Sequence, residues 1–167
     1  MNIIKFLFIF LLINSIAHAD KNMKIGSKGL EKDVSRVIKV IMYDNYYEPS
    51  SFKIKAGETI KFEVENAGQL VHEFNIANKM IHIKHQPEMK MMAENGILLF
   101  NKIDKAKMKK MAKVDKSMGH SHSNSVLLEP KQKGTIVWKF DNAANIEVAC
   151  NVPGHYQAGM IAKVNIK

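Results

Sequence analysis

The stretch ACNVPGHYQAGM, Ala149 to Met160, carries the chain's single cysteine, Cys150, with His155 five positions later and Met160 five after that. Thiolate and thioether favour Cu(I), and imidazole serves both oxidation states of copper. One Cys and two His with a weak axial Met make a one-electron copper site. Pro153-Gly154 can shape a turn that returns His155 toward the sulfur, and Gly159 can let the chain re-enter a strand at Met160. The second imidazole must come from elsewhere, and His72, His82, His85, His120 and His122 are available. His72 is the best candidate, because it begins a strand directly after the Asn66-Ala67-Gly68 turn and so can sit at one end of the domain. Taken alone, Cys150 reads as a small core thiol and Met160 as ordinary core. Their combination points to copper, and zinc is the weaker alternative because methionine is an unusual ligand for it.

These donors need a rigid frame, and the flanking sequence supplies strands. Ser35–Tyr43 is rich in Val and Ile, Phe52–Lys55 alternates, and Thr59–Asn66 places Ile60, Phe62 and Val64 on one side of a half-buried strand. Further strands are expected at Leu70–Ala77, Ser125–Glu129, Gly134–Phe140, Ile146–Cys150 and Met160–Lys167. About eight short strands separated by turn signals predict an all-β fold, an antiparallel β-sandwich with Greek-key connections.

Residues 1–19 read as a signal peptide: Lys5, the apolar run Phe6–Ile13 and the Ala17-His18-Ala19 cleavage pattern. Export to the periplasm is expected, with a soluble mature chain starting after Ala19 and no membrane span within it. Residues 20–34 read as a loose polar leader and residues 35–167 as one domain, large enough for a real core. One cysteine cannot form an internal disulfide, so stability must come from packing and from a metal. The net charge of +9 could suggest nucleic acid, but export argues against it. The charge instead suits solubility or docking to an acidic partner.

Residues 78–124 are too long for an ordinary loop and read as a functional insertion. It holds seven methionines (Met80, Met89, Met91, Met92, Met108, Met111, Met118) and four of the histidines. Asn101–Ser117 predicts a helix without a clean apolar stripe. Met89, Met91 and Met92, the pair Met108 and Met111, and Met118 with His120 and His122 are candidate secondary copper ligands, suited to weak, exchangeable binding. The competing expectation is that the methionines pack the insertion onto the sandwich. The lysines at 102, 105, 107, 109, 110, 113 and 116 read as a solvated face or as a docking surface for an acidic redox partner.

Two segments carry a resemblance. Tyr47–Ile76 (YEPSSFKIKAGETIKFEVENAGQLVHEFNI) and Val148–Met160 (VACNVPGHYQAGM) resemble the two ligand-bearing parts of the cupredoxin family, the small blue-copper proteins. The resemblance covers most of the mature chain. It implies an eight-stranded β-sandwich and one type 1 copper, cycling between Cu(I) and Cu(II), with His72, Cys150, His155 and Met160 as ligands. It also implies electron exit through an exposed His155. The Met/His-rich insertion departs from a minimal cupredoxin and is similar to that of periplasmic copper-tolerance members. The expected function is one-electron transfer to a cytochrome or oxidase. The alternative is sequestering copper or delivering it to an accepting protein. Four protein ligands leave no open position for substrate, so an enzyme is not expected, and the chain is expected to be a monomer.

Overall fold

The computed structural model describes residues 25–141 and 145–167. The expected signal peptide, residues 1–19, lies outside the described residues. Among the described residues, ten strands form two five-stranded sheets. The first sheet has the order β1 (Ser27–Lys28), β8 (Lys133–Lys139), β5 (Thr59–Asn66), β2 (Arg36–Tyr43), β3 (Tyr46–Glu48). The second has the order β4 (Ser51–Ile54), β10 (Ile161–Ile166), β9 (Ile146–Ala149), β6 (His72–Asn78), β7 (Ser125–Leu128). The all-β sandwich with Greek-key character stands, with one correction. The sheets are mixed rather than antiparallel: β2 pairs with β5, and β10 with β4, in parallel. Parallel neighbours need long crossovers, and alternation within a strand carries no information about its partner's direction.

The core lies between the sheets. Alternation in β5 aims Ile60, Phe62 and Val64 inward, where they meet Phe52, Phe74, Ile76, Phe140 and Val148. Phe62 is the hub, 5.6 Å from Phe52 edge-on, 5.2 Å from Phe74 and 6.1 Å from Phe140, in the offset geometry aromatic rings prefer. Cys150 and Met160 belong to the same core. The leader is not loose where it is described: Ser27–Lys28 pairs with β8, and the Trp138 indole N–H donates to Ile25 O at 2.8 Å.

β6 is buried along its whole length, whereas a strand with one wet face would alternate. Phe74 and Ile76 face the sandwich core, and the insertion covers the other face, where Glu73 meets His85 and His120. The insertion opens with α1 (Lys79–Glu94), a helix not expected from the sequence. Asn78 caps it, accepting from Ile81 N at 2.9 Å. Gly96 ends it at φ +64°, with Gly96 N–H donating to Ala93 O and Ile97 N–H to Met92 O, a Schellman stop. Its buried stripe is His82, His85, Met89 and Met92. Half of that stripe is imidazole, which hides the helix from any search for apolar periodicity. The helix expected over Asn101–Ser117 is shorter. Asp104 caps α2 (Lys105–Met111), and Asp115 accepts from Ser117 N to start a separate 3-10 turn, Lys116–Gly119. Val71, Met89, Met92, Ile97, Leu98, Ile103 and Met118 make a second apolar cluster beneath these pieces.

Candidate metal centre

Cys150 follows the end of β9, and Met160 precedes β10. The register Ile161↔Ala149 brings the two ends of the loop together, and Cys150 N donates to Met160 O at 3.2 Å. Inside the loop, His155 N donates to Val152 O and Met160 N to His155 O, both at 3.0 Å. Gly154 and Gly159 both take φ near +90° (+89° and +88°), a conformation that glycine adopts without strain. His72 comes from the start of β6, the strand beside β9.

The result is a compact donor set. Cys150 Sγ lies 3.9 Å from His72 Nδ1 and 3.4 Å from His155 Nδ1, and the three ligand atoms lie within 4.8 Å of one another. A trigonal cation about 2.1 Å from nitrogen and about 2.3 Å from sulfur would separate those atoms by about 3.8 Å. The residues therefore fit a metal without rearranging the backbone. Met160 is fully buried in the core beside this loop.

Two supports were not legible in the sequence. His72 Nε2 donates to Asp44 Oδ1 at 2.9 Å, which leaves Nδ1 as the lone-pair nitrogen facing the sulfur. Burial outweighs Asp44 and lowers the His72 pKa, so the ring is neutral at neutral pH. Burial would raise the Asp44 carboxyl, but hydrogen bonds from His72 and from Leu70 and Gln69 N–H lower it. Burial, with His72 nearby, takes His155 down to about 4. Burial likewise pushes the Cys150 thiol well above its usual range, even though Glu73 N–H donates to its sulfur at 3.3 Å. A proton on this thiol is therefore stable without metal, and binding a cation must displace it.

A second group of donors lies in the insertion. His120 and His122, expected as secondary ligands, sit with His85, and one nitrogen from each falls within 4.8 Å of the others. His85, available in the sequence as an imidazole for the first centre, joins His120 and His122 instead because α1 carries it there. Met89, Met92 and Met118 are buried in the second apolar cluster, Met108 and Met111 pack against it, and Met91 is exposed. As placed, most of these thioethers fill space.

The comparisons decide the family. The model of the Cupredoxin-like domain matches residues 3–95. A copper-resistant cuproprotein, CopI, of Pseudomonas aeruginosa is 38% identical over 148 residues, covering 85% of this chain and 82% of the relative. The chain belongs to the cupredoxin family. Another copper-resistant cuproprotein CopI, of Rubrivivax gelatinosus, is 29% identical to this cupredoxin over 153 residues, covering 90% of this chain and 79% of the relative. Among solved structures, auracyanin B superposes with a TM-score of 0.59 at 13% identity, covering 87% of this chain and 99% of that one. An azurin of Methylomonas sp. strain J superposes with a TM-score of 0.55 at 13% identity, covering 80% and 99%. These two likenesses concern the fold of the cupredoxin. The family-model match ends before the ligand loop, so the reading of Cys150, His155 and Met160 rests on this chain's own geometry.

Proposed function

We propose that this cupredoxin binds one copper ion through His72, Cys150, His155 and Met160 in the periplasm and serves copper tolerance. The observation that carries the reading is the gathering of two imidazole nitrogens, His155 Nδ1 at 3.4 Å and His72 Nδ1 at 3.9 Å, around the buried Cys150 sulfur. The names of the relatives, copper-resistant cuproproteins, favour copper handling as the role. Among the described residues no helix is long and apolar enough to cross a membrane, and the signal-like start, residues 1–19, supports export.

Bound copper would supply a one-electron couple held between Cu(I) and Cu(II). The protein's part is to keep the donors still. Asp44 holds the His72 ring, the Glu73 N–H holds the sulfur, and the Tyr47 hydroxyl donates to Glu73 O at 2.6 Å, tying down the next peptide along the strand. The test is titration of the purified protein with Cu(II), followed by visible absorption, beside Cys150→Ser. Intense absorption at one equivalent, lost in the variant, supports the site. A colourless protein sinks it.

One-electron transfer to a partner such as a cytochrome is the second reading, favoured by the surface around His155. The ring is half-buried and lies beside Leu70, Leu99, Phe100 and Pro153, with Phe100 82% exposed. Under that reading Phe100→Ser slows electron exchange with the partner and leaves copper affinity unchanged. Under copper tolerance alone it changes neither.

A further inference from the structure

The imidazoles of His85, His120 and His122 form a nearly equilateral triangle, with ring centroids 5.3, 5.0 and 5.1 Å apart. Separate pieces of the insertion supply them. His85 comes from the buried stripe of α1, His120 ends the 3-10 turn in a left-handed conformation at φ +44°, and His122 leads toward β7. Two carboxylates hold the triangle. Glu73 Oε1 meets His85 Nε2 at 3.1 Å and His120 Nε2 at 2.8 Å, and the Glu88 oxygens meet His85 Nδ1 and His122 Nε2, each at 3.1 Å. Glu73 is fully buried, and its oxygens also accept from Ser125 Oγ, Asn75 Nδ2 and Asn151.

We propose that His85, His120 and His122, with Glu73 and Glu88 around them, form a second metal site that binds Cu(II). The donors are nitrogen and oxygen, which suit a borderline divalent cation rather than Cu(I). Among such cations an N/O site prefers Cu(II) over Zn(II). Charge also balances: a divalent cation among neutral imidazoles is offset by two carboxylates, one of them sealed from water. Nitrogen ligands about 2.0–2.1 Å from a metal stand about 3.3–3.5 Å apart, so the rings close inward by about 1 Å. Each ring exchanges a hydrogen bond for a metal bond; His85, both of whose nitrogens donate to carboxylates, also releases a proton to solvent, and the carboxylates orient the remaining nitrogens or complete the shell. The site is not independent of the first. The Glu73 N–H donates to Cys150 Sγ, and its carboxylate holds Asn151, the residue after Cys150. The proposal relies on the copper reading of the first centre only for the choice of ion.

The test separates the two centres. Cys150→Ser is titrated with Cu(II), and separately with Zn(II), by equilibrium dialysis and electron paramagnetic resonance, and again with His120→Asn and His122→Ala added. Asn tolerates the left-handed backbone at 120, and His122 is the most exposed of the three, so the fold survives; thermal melting of the metal-free variants checks this. The expected result is one equivalent of Cu(II) in Cys150→Ser, weakly coloured, with the wide copper hyperfine splitting of nitrogen and oxygen donors, and none in the triad variant. No bound equivalent in Cys150→Ser, or one that persists without His120 and His122, overturns the site. Zn(II) bound in preference to Cu(II) overturns the choice of ion. An intensely coloured wild type with one equivalent only would overturn this site and leave the first standing. A colourless wild type whose one equivalent needs the triad would do the reverse.

Discussion

Asp44 touches no candidate metal atom, yet it decides which nitrogen of His72 can bind one. Its carboxylate accepts from His72 Nε2 and is itself fixed by the Gln69 and Leu70 N–H groups. Carboxylate partners of ligand histidines typically carry a 10–100-fold effect on affinity. Asp44→Ala is therefore expected to weaken copper binding about 10–100-fold, measured by competition with a chelator. Asp44→Asn, which still accepts the hydrogen bond, recovers part of the loss; equal affinity in all three proteins would rule out the positioning role. Sequence reading could find Cys150, His155 and Met160 because they are close in the chain and chemically distinctive. His72 was found by elimination together with strand placement. Asp44 was not legible, since nothing local links an acid to a histidine 28 positions away. His85 and Glu88 were missed for a different reason. Their i, i+3 contact needs a helix, and the helix was hidden by its own polar stripe.

At the scale of elements, the ligand loop and the insertion are built by opposite means. The loop is short and held by backbone hydrogen bonds and two left-handed glycines. A Cβ at Gly159 would meet no atom within 4 Å, so Gly159→Ala adds only backbone strain, about 1–2 kcal/mol. The expected readout is a loss of that size in chemical denaturation together with a shifted visible band. An unchanged stability curve would mean the left-handed turn is not needed. The insertion is instead held by its apolar cluster. Met92 is fully buried there, and Met92→Ala is expected to cost about 2–5 kcal/mol while leaving the absorption of the first centre intact. If copper stoichiometry falls and stability does not, Met92 is a ligand rather than packing. The strands were largely legible because alternation is a local signal. The parallel pairings were not, since they join segments distant in the chain.

For the molecule as a whole, metal and fold support each other. One cysteine leaves no internal disulfide, and a ligand that binds only the folded chain adds stability by mass action, about 4 kcal/mol when its free concentration is a thousand times Kd. Copper loading is therefore expected to raise the melting temperature, and chelation to reverse the rise. Cys150→Ser should show a much smaller increase; an equal one would place the stabilising ion elsewhere. The candidate donors come from one sheet: His72 opens β6, and Cys150, His155 and Met160 lie in the loop between β9 and β10, so the set is complete only when these three strands are paired.

The pairing of β10 with β4, Lys163 beside Ser51 and Ile166 beside Ile54, also sets a schedule. A chain emerging from its N-terminus displays His72 early and Cys150 late, but the strand that closes the loop around them arrives last. The β6–β9 pairing sets Cys150 beside His72, but until residues 161–166 have paired between β4 and β9 the loop that carries His155 is not closed. The full donor set is therefore the last part of the fold to be assembled, because it waits on the final strand.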